Sequence, residues 1–155
     1  LSTGWQVAVA STSAPQSVRS VLDSVVGHQT AEVIPIFAGD VVPAKKPAPD
    51  IYLLALDRLG VSAETAIVVE DSAVGMRAAV SAGLACIVTP SSYTLAEDFT
   101  PAAAVVTSLG DGGEPTTVLS DPHDVGFGDV VDLEALRRLL ALRGQTLTST
   151  QRENR

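Results

Sequence analysis

Short apolar runs alternate with helical spacings along the first part of this chain. Trp5–Ala10 is an apolar run followed by hydroxyl residues from Ser11 onward, which predicts a buried strand and then a polar turn. Apolar residues at helical spacing then run from Pro15, a residue tolerated in the first turn of a helix, to a stop at Gly27. A second, shorter strand is predicted at Ile34–Phe37.

The same alternation continues further along the chain. The remaining predicted elements are a helix from Ile51 to Gly60, a strand at Thr65–Val69, a helix from Ser72 to Gly83, a strand at Leu84–Thr89, a short strand at Val105–Val106 and a last helix at Leu133–Leu142. A proline-rich loop is predicted at 41–50, and a long surface loop at 110–129, where Gly, Asp, Pro and Thr predominate. Strands that alternate with helices indicate a parallel α/β sheet. Residues 1–143 are predicted to form the core, and 144–155 a polar, frayed tail.

Composition narrows the class of protein. The 155 residues suit one domain, and with 46% hydrophobic but only 4% aromatic residues the core must be built from Ala, Val, Leu and Ile. A net charge of −8 argues against nucleic acid and anionic membranes as partners. No apolar run approaches the ~20 residues of a membrane-spanning helix. Cys86 is the single cysteine, which excludes an intrachain disulfide and favours a reducing compartment.

Polar residues that could bind an anion follow the first strand and occupy the proline-rich loop. The Ser11 hydroxyl and the Thr12 N–H lie at a strand-to-helix turn, where they could bind an anion or simply cap the helix. Lys46, in the sequence KKPAPD, lies in a loop stiffened by prolines, which could hold its charge over a phosphate. The alternative is a solvated pair, Lys45 and Lys46, before a helix.

Two adjacent carboxylates, Glu70 and Asp71, end the strand that begins at Thr65. Bringing two negative charges together at the end of an apolar strand is unfavourable unless a cation lies there. Mg²⁺ is the natural candidate because it prefers oxygen ligands and often uses only one or two carboxylates. The alternative is that the carboxylates only favour the N-terminus of the next helix.

Taken together and in order, these clusters resemble the second, third and fourth motifs of the haloacid dehalogenase superfamily. VVEDSAVGMRAAVSAG resembles the fourth motif almost letter for letter, and KKPAPDIYLLAL resembles the third; the resemblance covers roughly residues 5 to 106. CIVTPSSYTLAEDF is similar to the CbbY-like branch, close to the β-phosphoglucomutases. The resemblance implies a Rossmann-like three-layer α/β core with a mostly parallel sheet.

The resemblance also implies roles for individual residues. Ser11 would hold the transferring phosphoryl group, with the Thr12 N–H beside it. Lys46, the lysine immediately before Pro-x-Pro, would neutralise the charge of phosphate and nucleophile. Asp71 would bind Mg²⁺, and Glu70 would support the ion directly or through water.

The family's nucleophilic aspartate belongs to a D-x-D-G motif, which this sequence does not contain. The chain is therefore expected to begin just before the second motif and to lack the central first strand and the cap domain. By itself it is expected to be inactive. Without the central strand, the isolated chain is expected either to aggregate or to close its two orphaned strand edges on each other.

The function implied for the complete protein is that of a magnesium-dependent phosphatase acting on a small sugar phosphate, with xylulose 1,5-bisphosphate as the candidate. The alternatives are a sugar phosphomutase and a truncated, non-catalytic α/β domain. The implied location is the cytoplasm, or the plastid stroma in a photosynthetic eukaryote. Cys86 is interpreted as inert core, and the acidic pair Glu97 and Asp98 as solvated surface without a role.

Overall fold

A computed structural model describes residues 4–153, with side chains described from 4 to 144. In chain order the elements are β1 (Val9–Ser11), α1 (Pro15–Val26), α2 (His28–Glu32), β2 (Ile36–Ala38), α3 (Asp50–Leu59), a 3-10 helix (Ala63–Thr65), β3 (Ile67–Glu70), α4 (Ala73–Ser81), β4 (Ala85–Val88), β5 (Ala104–Val106), β6 (Val118–Ser120) and α5 (Leu133–Glu153). The predicted alternation of strands and helices is confirmed.

The strands form two sheets. β1 pairs in parallel with β2, and the second sheet has the order β3-β4-β5-β6. In that sheet β3, β4 and β5 are parallel, while β6 runs antiparallel along β5. The mostly parallel α/β class is therefore confirmed. The predicted long surface loop over 110–129 contains one short strand, β6, that was not predicted. Its residues are all exposed, so no alternation of buried and exposed positions marks the strand in the sequence.

The core is centred on β4, whose four residues are all buried. Because successive side chains of a strand point to opposite faces, Cys86 and Val88 pack with Met76 of α4 on one side. Ile87 packs with Leu139 of α5 on the other side. Helices therefore cover both faces of the sheet, giving the three layers that the family resemblance implied. Each buried aliphatic side chain of this size contributes about 1.5–3 kcal/mol.

A cleft of about 830 Å³ lies between the two sheets, bounded by residues 4–10 and 65–70. β1 and β3 do not pair with each other across it. Apolar side chains on both sides of the cleft remain partly exposed, with Val7 at 50% and Val69 at 46% of their full exposure. The expected alternative in which the two edges close directly on each other is therefore not the arrangement seen here.

Several element boundaries differ from the predicted ones. β1 begins at Val9 rather than Trp5, because its partner strand begins only at Ile36 and the preceding Pro35 has no N–H to extend the pairing. α2 was not predicted. α5 continues to Glu153 instead of ending at Leu142, and the predicted boundary after residue 143 falls inside it.

The extra length of α5 has a simple cause. Its apolar pattern fades after Leu142, but no proline follows, and a single glycine such as Gly144 costs a helix only ~1 kcal/mol. The expected unpatterned tail is thus helical up to residue 153, and residues 154–155 lie outside the described range. Within that range no helix is both long and apolar enough to cross a membrane.

Candidate active site

Lys46 joins the carboxyl end of β1 to that of β3. Its Nζ atom lies 2.5 Å from Glu70 Oε1 and donates to the carbonyl of Ala10 at 3.0 Å. Both charged side chains are largely removed from water, at 11% exposure for Lys46 and 9% for Glu70. An ion pair this far from solvent is screened little by water, so the two groups orient each other strongly. The Lys46–Pro47 peptide bond is cis.

Lys45 occupies a different environment from its neighbour. It pairs with Asp40 at 2.8 Å, and the side chains of both residues are more than half exposed. The hydrogen bond and charge of Lys45 hold the pKa of the Asp40 carboxyl below its ordinary value. The structure therefore brings Lys46 to the Glu70 carboxylate at the end of β3 and leaves Lys45 on the surface.

Tyr52, on α3, is a site residue that the sequence analysis missed. Its hydroxyl donates to Glu70 Oε1, and its ring centroid lies 4.9 Å from Lys46 Nζ, within the range of a cation–π contact. Burial raises the pKa of the Tyr52 phenol above its ordinary value, and the charge of Glu70 raises that pKa further, so the hydroxyl remains a donor. A lone phenol in the apolar pattern of a helix was a usable signal, since buried tyrosine hydroxyls usually find a partner.

Gly75, in the first turn of α4, leaves room for the Glu70 carboxylate. A Cβ atom placed on Gly75 would lie 1.8 Å from Glu70 Oε2, far inside van der Waals contact. Ser72 is the N-cap residue of the helix, and its hydroxyl accepts from the Gly75 N–H at 3.3 Å. The Glu70 carboxylate is thus held by Lys46 and Tyr52 in a space that exists because position 75 has no side chain.

Ser11 and Thr12 follow Ala10 at the same end of β1. The Ser11 hydroxyl accepts from the Ser13 N–H at 3.1 Å, which stabilises the turn that leaves the strand. Neither residue caps α1, because the N-cap position is Ala14 and no side chain caps the helix there. The capping alternative for this cluster is therefore not what the structure shows.

Asp71 and Glu70 are the residues that could hold a metal ion. Asp71 is exposed at the end of β3, directly after Glu70, whose side chain is only 9% exposed. Within the described part of the chain no group of three or more His, Cys, Asp or Glu side chains could hold a metal. Two carboxylates on consecutive residues nevertheless fit Mg²⁺, which commonly takes one or two protein carboxylates and completes its shell with water and substrate phosphate.

Glu97 also reaches this region, although the sequence analysis gave it no role. The Ala73 N–H donates to its Oε2 atom at 2.6 Å, so the carboxylate caps the start of α4. Asp98 instead accepts from the N–H and hydroxyl of Thr100, and these hydrogen bonds lower the pKa of its carboxyl. Glu97 is exposed, as the prediction of a solvated surface has it, but its hydrogen bond to the start of α4 was not predicted. Nothing local in the sequence marks it, because its partner lies 24 residues away.

Comparison with known proteins decides the family. The model of haloacid dehalogenase-like hydrolases matches residues 2–83, which include the ends of β1 and β3 and the loop that carries Lys46. The chain belongs to the haloacid dehalogenase-like hydrolase family. A CbbY-like protein of Arabidopsis thaliana is 52% identical over 114 residues, which cover 74% of this chain and 36% of the relative.

Solved structures agree with this membership. A crystal structure of CbbY from Rhodobacter sphaeroides in complex with phosphate is 44% identical, with a TM-score of 0.66, and covers 69% of this chain and 48% of that one. A mutant of the same CbbY in complex with xylulose-(1,5)bisphosphate has the same values. This member of the hydrolase family thus spans about half, or less, of the length of these relatives.

Proposed function

We propose that the complete protein is a magnesium-dependent phosphatase that acts on a small sugar phosphate, with xylulose 1,5-bisphosphate as the leading candidate. The observation that carries the proposal is Lys46, which links the end of β1 to Glu70 beside the exposed Asp71. The choice of substrate is supported by similarity to CbbY, whose crystal structure includes that bisphosphate. The attacking aspartate would come from a segment outside this chain and form an aspartyl-phosphate.

Lys46 is suited to binding a phosphoryl group while keeping its present contacts. An ammonium group has three N–H donors, and two of them point to the Ala10 carbonyl and the Glu70 carboxylate. The third remains for a phosphoryl oxygen. Phosphoryl transfer depends mostly on positioning and charge stabilisation, so a lysine held in place by two fixed acceptors costs little reorganisation during the reaction.

The other residues divide the remaining tasks. The Ser11 hydroxyl and the Thr12 N–H would hold phosphoryl oxygens at the end of β1. Asp71 would bind Mg²⁺ with Glu70 in support, and the ion would offset the negative charge of phosphate. Tyr52 and Lys46 would keep the Glu70 carboxylate in place through the contacts described above.

The test is phosphate release from xylulose 1,5-bisphosphate and a panel of sugar monophosphates by the complete protein, with Mg²⁺ and with a chelator. We expect turnover that the chelator abolishes and that Asp71→Asn reduces severely. The 155-residue chain should show no turnover, because it lacks the D-x-D-G nucleophile. Robust turnover by that chain would contradict the assignment of the nucleophile.

The same assay separates the alternatives. Conversion of a sugar phosphate to its isomer without release of phosphate, followed by ³¹P NMR, would identify a phosphomutase instead. Failure of the complete protein to act on any of these substrates would favour a non-catalytic domain. Release of phosphate from monophosphates but not from xylulose 1,5-bisphosphate would support the phosphatase activity and contradict the proposed substrate.

A further inference from the structure

The segment 89–97, which we name the brace segment, contacts the turn between β3 and α4. The Thr89 N–H and hydroxyl both donate to the Glu70 carbonyl, at 2.8 and 3.5 Å. The Thr94 hydroxyl donates to the Asp71 carbonyl at 2.6 Å, and the Ala73 N–H donates to Glu97 Oε2 at 2.6 Å. They fall on three of the four residues from 70 to 73. The turn that carries both candidate metal carboxylates is thus held along its length.

The brace segment is ordered by hydrogen bonds of its own. The Ser91 carbonyl accepts from the N–H groups of Thr94 and Leu95 at 3.1 and 3.0 Å. The Ser91 N–H donates to the Thr94 hydroxyl at 3.0 Å. The hydrogen bond from the Ser91 N–H restrains the Thr94 hydroxyl, which donates to the Asp71 carbonyl, so less conformational entropy is lost in making that contact.

The core does not account for the position of this segment. Tyr93 is 96% exposed and Leu95 is 60% exposed, so its large side chains point into solvent rather than into the protein. What joins the segment to the turn is polar: a main-chain amide at Thr89, a hydroxyl at Thr94 and a carboxylate at Glu97. Contacts of this kind contribute more to local geometry than to the stability of a core.

Asp71 depends on this geometry more than Glu70 does. The Glu70 carboxylate is confined by Lys46 and Tyr52, whereas the Asp71 side chain is exposed. The direction of an exposed short side chain follows from its backbone. On the basis of the function proposed above, we propose that Thr94 and Glu97 are positioning residues that fix the backbone of Asp71 and thereby set the affinity of the site for Mg²⁺.

The experiment measures Mg²⁺ binding to the complete protein by titration calorimetry, together with the melting temperature in the absence of the metal. Removing groups that orient metal ligands typically weakens metal affinity 10–100-fold. We therefore expect Glu97→Ala and Thr94→Val each to weaken Mg²⁺ binding about tenfold or more. Thr94→Ser, which keeps the hydroxyl, should bind Mg²⁺ with an affinity close to that of the wild type. Glu97→Gln, which keeps an acceptor oxygen, should lose less than Glu97→Ala.

Asp98→Ala is the matched control, because Asp98 is the adjacent carboxylate and its hydrogen bonds among the described residues go to Thr100, not to the turn between β3 and α4. Its Mg²⁺ affinity should equal that of the wild type. Unchanged affinity in Glu97→Ala, with a wild type that binds the metal, would overturn the positioning role alone. Affinity that falls equally in all variants, in step with their melting temperatures, would also overturn it. A wild type that does not bind Mg²⁺ would overturn the proposed function and this role with it.

Discussion

At the scale of single residues, the two adjacent lysines offer a sharp comparison. Without Lys46, the Glu70 carboxylate, whose side chain is only 9% exposed, would keep the Tyr52 hydroxyl as its one partner among the described contacts. Lys45, in contrast, pairs with the exposed Asp40. Breaking one partner of a buried pair costs on the order of 3 kcal/mol, and an exposed pair contributes at most ~1 kcal/mol.

We therefore expect Lys46→Ala to lower the free energy of unfolding by about 3 kcal/mol, measured by urea denaturation of the complete protein. The same change should reduce kcat/KM at least ~100-fold, as the loss of a group that stabilises developing charge typically does. Lys45→Ala should alter both quantities little. If Lys45→Ala proved to be the damaging change, the register of the lysine motif would be off by one.

Gly75 supplies a second test at this scale. In Gly75→Ala the new methyl group would collide with Glu70 Oε2, so the carboxylate must leave its contacts with Lys46 and Tyr52. Overpacking of this kind costs about 1–3 kcal/mol. We expect a matching fall in the free energy of unfolding and weaker Mg²⁺ binding. Gly112→Ala is the control, because nothing lies within 4 Å of its added Cβ; equal behaviour of the two variants would contradict this account of Gly75.

At the scale of elements, β4 is the most enclosed strand of the described chain, and the reactivity of its Cys86 thiol is a probe of that burial. Its side chain has no exposure, and burial raises the pKa of the thiol to about 12. A raised thiol pKa means that the reactive thiolate stays scarce until the pH approaches that value. Because β4 lies between β3 and β5, we expect Cys86 to be unreactive as long as this sheet is folded.

We expect iodoacetamide at pH 8 to leave the native protein unmodified and to label the chain once in denaturant, as read by intact mass. Because the chain has a single cysteine, the mass shift in a 155-residue preparation is unambiguous. Labelling of the native chain at the rate of a free thiol would mean that β4 is not covered on both faces. Cys86→Ser serves as the blank for other reactive groups.

At the scale of the whole molecule, the cleft between β1 and β3 is the dominant feature. Both strands have an edge that faces the cleft, and their unpaired N–H and C=O groups form a template for another strand. Apolar side chains that line the cleft, such as Val7 and Val69, are about half exposed. The family resemblance implies that the strand bearing D-x-D-G belongs between these two edges.

We expect a peptide with that strand, taken from the complete protein, to bind the isolated chain and to raise its solubility and melting temperature. A ligand at 100 times its Kd stabilises a folded state by about 2.7 kcal/mol. The measurements are thermal unfolding and light scattering with and without the peptide, and a scrambled peptide of equal composition is the control. A monomeric chain with a sharp, high melting transition that the peptide does not change would contradict this expectation.

The sequence by itself determined the class of fold and the order of the motifs, because strand ends, helix stops and strand-end carboxylates are local features of the chain. The family resemblance selected Lys46 over Lys45 as the lysine immediately before Pro-x-Pro, and in the structure Lys46 contacts Glu70 while Lys45 pairs with Asp40. Tertiary structure alone decided which side chains hold Glu70 and the turn after it. Tyr52 and Glu97 reach their partners across 18 and 24 residues, and no local pattern encodes such contacts because they depend on how helices and loops pack. The cleft was decided in the same way, since whether two strand edges meet or stay apart depends on the elements packed around them.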